Sequence, residues 1–94
     1  YKPMKPLALK ISTLAGPNDL VTGYDTLYKM SYEFYLGRKI TWASSEGELL
    51  GFIYSKRKTY CLISENAYKR LKDKLSAYTT IIDKKANIYL LSTK

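Results

Sequence analysis

The sequence predicts an α+β domain: a single mostly antiparallel sheet with two helices packed on one face, in the order β-α-β-β-β-α-β-β. Three observations carry this. Short runs rich in aromatic and β-branched residues recur, separated by polar turn clusters. Two longer stretches repeat apolar residues at helical spacing. The chain has 94 residues and is 46% hydrophobic, the size and composition of one domain with one modest core.

Residues 1–6, YKPMKP, read as a basic proline-containing arm or linker, because Pro3 and Pro6 disfavour both helix and paired strand. Residues 7–94 read as the single domain. Leu7, Leu9 and Ile11 alternate with Ala8, Lys10 and Ser12, the period of a half-buried strand over 7–14. Ala15-Gly16-Pro17-Asn18 breaks the chain. Over 18–36, Leu20, Tyr24, Leu27, Tyr28, Ser31, Phe34 and Tyr35 fall near one face of a first helix. Gly37 suits a left-handed stop, with Arg38 and Lys39 beside the negative end of the helix dipole.

Residues 38–64 read as a three-stranded meander on which the rest is arranged. Its strands are 40–44, 49–55 and 59–63. Its turns are Ser45-Glu46-Gly47-Glu48 and Lys56-Arg57-Lys58. The middle strand, LLGFIY, is apolar on both faces, as expected of a strand covered twice or one that exposes rings. Ser64 caps a second helix from Glu65 to about Tyr78, with Tyr68, Leu71, Leu75 and Tyr78 as its apolar stripe. Strands 79–82 and 87–92 then close a hairpin around Asp83-Lys84-Lys85-Ala86. Residues 9–14 and Gly51-Phe52-Ile53-Tyr54 loosely resemble the two strand motifs of RNA-recognition-motif domains. Lys10 stands where that family has an aromatic, and the strand 59–63 is extra to its order. The family itself is not assigned; the resemblance implies only a sheet face used as a stacking platform.

Most site chemistry is excluded by composition. The chain has no histidine, which removes His-based acid–base, nucleophilic and metal systems. Glu46 and Glu48 share a turn and read as solvated. Cys61 reads as a small buried apolar residue rather than a nucleophile. The expectation is a non-enzymatic domain with no cofactor and no metal. A lone cysteine permits no internal disulfide, so the expected location is intracellular, cytoplasm or nucleus. No apolar run approaches the ~18–20 residues of a membrane span, and the start at Tyr1 reads as a domain cut from a longer protein or a trimmed product.

Charge and rings remain. Net charge is +8, from 16 Lys and Arg against 8 Asp and Glu. Only Arg38, Arg57 and Arg70 are arginines; lysines attract a phosphate backbone more than they read bases. The expected nucleic-acid-binding residues are Arg38, Lys39, Lys56, Arg57, Lys58, Lys69, Arg70, Lys74, Lys84 and Lys85, with two hairpin tips and a helix face straddling the backbone. Ten tyrosines are many for this length. Tyr54 and Tyr60, flanking the basic turn, are the candidate stacking rings. The partners so implied are nucleic acid, DNA or RNA, or an acidic protein. The alternative is a protein-interaction or dimerisation module of a larger protein, a homodimer included, using its Tyr-rich surface. An anionic lipid surface is a third partner the same lysines suit.

Overall fold

Strand order β2-β1-β3-β5-β4 gives a five-stranded mixed sheet, clad by helices on both faces. The computed structural model describes residues 4–26 and 29–94, the side chains of Met4, Lys29 and Met30 excepted. Along the chain run α1 (Met4–Leu14), β1 (Leu20–Tyr24), α2 (Lys29–Leu36), β2 (Thr41–Trp42) and α3 (Glu46–Tyr54). β3 (Thr59–Ser64), α4 (Glu65–Leu75), β4 (Thr79–Lys85) and β5 (Ile88–Thr93) follow. β1 is parallel to both β2 and β3, while β5 is antiparallel to β3 and β4.

Topology explains the layering. From β1 the chain steps outward through α2 to β2, then back past β1 through α3 to β3. Crossovers of one hand that reverse direction must change faces. Accordingly α1 and α2 pack Leu7, Ile11 and Tyr32 on Val21, Tyr60, Leu62 and Leu90. On the other face α3 and α4 pack Leu49, Ile53, Leu71 and Leu75 on Cys61, Ile63 and Leu91. Strand β3 is buried on both sides, and its unbroken TYCLI run is the signature of such a strand.

The expected two-helix, one-face architecture is therefore corrected to four helices and a mixed sheet among the described residues. Residues 7–14 are helical: Leu7, Ala8 and Ile11 are buried while Leu9 is 52% exposed, so a turn-by-turn face overrides the apparent alternation. Met4 to Pro6, expected in the arm, form the first turn of α1. Proline is tolerated there because first-turn N–H groups have no intrahelical acceptor. Tyr1, Lys2 and Pro3 of the arm lie outside the described residues, as do Leu27 and Tyr28 of the first helix.

The expected helix over 18–36 is split. Leu20–Tyr24 is a strand flanked on both edges, and only Lys29–Leu36 is helical. The helical face is also different: Tyr32 enters the core at 1% exposure, and Phe34 faces outward at 81%. Gly37 does stop this helix, at φ +73°, donating its N–H to the Glu33 carbonyl at 2.9 Å.

The meander dissolves. Its middle strand is α3, begun by side chains at its N-terminus: Ser45 Oγ accepts from Glu48 N–H at 3.1 Å, and Glu48 Oε1 accepts from Ser44 N–H at 2.9 Å. The two-sided apolar look of LLGFIY is a helix burying Leu49 and Ile53 one turn apart. Both segments that resemble RNA-recognition motifs are helical, so no stacking platform of that kind exists here. Ser64 caps α4 as expected, its Oγ accepting from Ala67 N–H at 3.2 Å. The closing hairpin also stands, with its turn at Ala86-Asn87, so Asp83, Lys84 and Lys85 belong to β4.

Gly23 is the one position where this sheet requires a missing side chain. It is paired with Trp42 across β1 and β2, and the indole lies over it. A Cβ there would overlap the ring, 2.6 Å from Cε3, and press on the Leu62 carbonyl at 3.2 Å. Gly23→Ala is expected to cost about 2 kcal/mol by overpacking and to shift the Trp42 emission. An unchanged melting temperature would mean that the ring has room to move.

Candidate functional site at the basic end of the sheet

β1 and β3 start at the same end of the sheet, and α2, α3 and α4 finish there. The loops after these helices thus share one rim. The loop after α3 carries Lys56, Arg57 and Lys58, and the loop after α4 carries Tyr78. Tyr54 and Tyr78 meet edge to face, ring centroids 4.8 Å apart at 60°, and each is about half exposed. With Ile53, these three cations and Lys94 they line an open cleft of about 310 Å³. No acidic side chain lines it.

Two cations of this cleft, Arg57 and Lys58, are held without being neutralised. Arg57 Nε donates to the Asn18 carbonyl at 2.9 Å. Lys58 Nζ donates to the Thr93 carbonyl at 2.7 Å and lies 5.6 Å from the centre of the Tyr60 ring. Uncharged acceptors fix the side chains in place and leave the net charge intact. Arg38 is pinned the same way, donating to the carbonyls of Gly16 at 2.9 Å and Asp19 at 2.6 Å. Lys39 is exposed at this end, and Lys74 closes α4.

The opposite end carries both signs of charge. Glu46 and Glu48 open α3, Glu65 opens α4, and Asp25 follows β1, accepting from Ser64 Oγ at 2.7 Å. Here the ion pairs form: Arg70 with Glu46 at 3.5 Å, and Lys69 at 3.9 Å and Lys84 at 3.2 Å with Glu65. Lys84 also sits 5.5 Å from the Tyr89 ring centre.

The structure thus brings together Arg38, Lys39, Lys56, Arg57, Lys58 and Lys74. It does not add the others. Lys84 and Lys85 lie at the far end of β4, roughly 20 Å away by strand rise, and Lys69 and Arg70 are engaged with carboxylates. The two basic tips cannot straddle one backbone. Tyr60 is corrected as a stacking ring: it is 6% exposed, and its hydroxyl donates to the Leu14 carbonyl at 3.2 Å. Tyr54 is exposed, but on α3 rather than a strand. Sequence reasoning missed Tyr78, assigned to the apolar stripe of a helix that ends at Leu75. It also missed the clamp by Arg38, for which the sequence carries no signal.

Burial disposes of the one thiol. Cys61 is fully enclosed, and desolvation pushes its pKa from 9.0 up to about 12. Burial likewise raises Tyr32 from 10.0 to about 12. Glu46 and Glu48 do face solvent, but in the first turn of α3 rather than in a strand-to-strand turn: Glu46 pairs with Arg70 and Glu48 accepts from Ser44 N–H.

No family model matches the chain, and no curated protein matches its sequence. The fold does recur, as one segment of a much longer chain. That chain is ArnT from Cupriavidus metallidurans, whose apo crystal structure matches with a TM-score of 0.77 at 12% identity over 94% of this chain and 19% of that one. The same protein bound to undecaprenyl phosphate matches at 0.72, with 14% identity and the same coverage. At such identity the likeness shows the fold. The chain spans 19% of the length of the chain it matches.

These findings overturn the nucleic-acid reading. The fold is that of a segment of ArnT, and the basic tips expected to straddle one backbone are separated. Nucleic acid and an acidic protein are withdrawn as partners, and the alternative reading, a module of a larger protein, is the better supported. The intracellular assignment falls as well. It rested on a cysteine whose enclosure already accounts for its unpaired thiol, whatever the compartment. Among the described residues no helix is long and apolar enough to cross a membrane.

Two outcomes follow from the site. Arg38→Met is expected to cost about 2–3 kcal/mol, because it removes two charge-assisted bonds to carbonyls, whereas Lys39→Met should leave the denaturation midpoint unchanged. In alkali the folded state holds protons on Cys61 and Tyr32 that the unfolded state releases. The stability these two groups contribute is therefore fully present below about pH 9 and is lost as pH rises towards 12. Cys61→Ala should delay that loss to about pH 10, the ordinary tyrosine value. Denaturant midpoints measured across this range test both signs.

Proposed function

We propose that this chain is an extramembrane domain of a larger membrane protein of the kind ArnT represents, placed on the extracytoplasmic side and held against that protein's membrane-embedded part. One observation carries the reading: 94% of this chain superposes on a segment of a protein that has been crystallised with undecaprenyl phosphate, a lipid phosphate. The absence of a spanning helix among the described residues fits a segment lying outside the bilayer. In this reading the domain does no chemistry itself and serves the membrane-embedded part by packing on it. The sealed thiol of Cys61 supports that division of labour.

The test is topological. In the intact parent protein, alkaline phosphatase inserted after Lys94 is expected to be active, and green fluorescent protein at the same point dark. Fluorescence with an inactive phosphatase would overturn the placement.

A further inference from the structure

We propose that the basic end of the domain docks on the surface of a bilayer rich in anionic phospholipid. The proposal builds on the placement above but rests on geometry of its own. Exposed aromatic residues gather where the uncancelled cations gather. Tyr54 and Tyr78 rim the cleft on one face of the sheet. On the other face, Phe34 and Tyr35 occupy the last turn of α2, Phe34 at 81% exposure and packed edge to face with Tyr35, centroids 5.6 Å apart. Leu14, at 44% exposure, ends α1 at the same rim.

Such a rim matches the chemistry of a headgroup layer. Amphipathic rings settle at the boundary between headgroups and acyl chains, and Lys or Arg beside them meets lipid phosphates. Each cation near such a surface contributes on the order of a fivefold gain in partition. Arg57 and Lys58 are already fixed by carbonyls, so little side-chain freedom is lost on contact. At the opposite end Arg70 pairs with Glu46, and Lys69 and Lys84 with Glu65, so that end offers such a surface less unpaired positive charge. A flat charged surface needs no enclosed pocket, and the cleft is open.

The experiment is co-sedimentation of the 94-residue chain with phosphatidylcholine vesicles, with and without phosphatidylglycerol. Binding is expected only with phosphatidylglycerol and should weaken steeply with added salt. Lys56→Glu should lower partition by at least about fivefold. The pair Tyr54→Ser and Phe34→Ser should lower it further and blunt the part that survives salt. Lys85→Glu, at the opposite end, should change it less than twofold by the same reckoning. Circular dichroism confirms that each variant is folded, all four positions being at the surface. Absence of binding to phosphatidylglycerol vesicles, or an equal loss from Lys85→Glu, overturns the proposal. The two readings fail separately: the reporter fusion tests the side of the membrane, and the vesicles test the surface of the domain.

Discussion

Strand β3 is excluded from water on both faces, and most of the molecule follows from that constraint. Its alternate residues feed separate cores, Tyr60 and Leu62 into one and Cys61 and Ile63 into the other. Neither core can form without helices on its own side. The doubled crossover from β1 to β2 and back to β3 supplies one helix to each face, and α1 and α4 complete the two layers. A domain of this size has little apolar surface to spare. Spreading it over two faces of one sheet succeeds because the central strand serves both.

The same topology sets the charge pattern. Where parallel strands alternate with helices, helix starts collect at one end of the sheet and helix finishes at the other. Carboxylates at the starts and cations at the finishes each complement the helix dipole. Glu46 and Glu65 occupy first turns, and Lys72 and Lys74 the last turn of α4. In α4 these residues steady the helix and also add Lys72 and Lys74 to the positive rim. Arg38 and Arg57 strengthen the positive end for a different reason, as clamps on the loop between α1 and β1. The field at that rim is therefore partly a by-product of folding, and the exposed rings beside the cations are what single it out as a surface for contact.

The second half of the chain was legible in the sequence and the first half was not, for physical reasons. Ser64, Glu65 and the stripe of Tyr68, Leu71 and Leu75 announce α4 through capping and period together, and strand 59–63 announces itself by an unbroken apolar run. In α1 the exposed Leu9 imitates the alternation of a strand, and only the fold reveals that Ala8 rather than Leu9 is inside. β1 is short, contains a glycine and depends on neighbours remote in sequence, so local propensity could not declare it. For α3 the signal was present in Ser45 and Glu48 and was outweighed by two glycines and a polar turn-like composition. At the site, the cluster at 56–58 was visible as charge. Its separation from Lys84 and Lys85 depends on the direction of β4, which only the pairing determines.

The edges of the sheet argue that contact with other molecules runs through the ends rather than through added strands. β2 offers only two residues at one edge, too few to template another chain. At the other edge β4 exposes Ile81 and Ile82, an arrangement that invites pairing. There a bulge between Ile81 and Asp83 breaks the register, and Asp83, Lys84 and Lys85 follow at once with charge. Both devices blunt an edge without removing its apolar residues. With the faces covered by helices and the edges closed in this way, the large exposed rings lie mostly at one end, amid cations that form no ion pair among the described residues. A domain so built can rest on a surface or on a larger body while its sheet stays closed to addition.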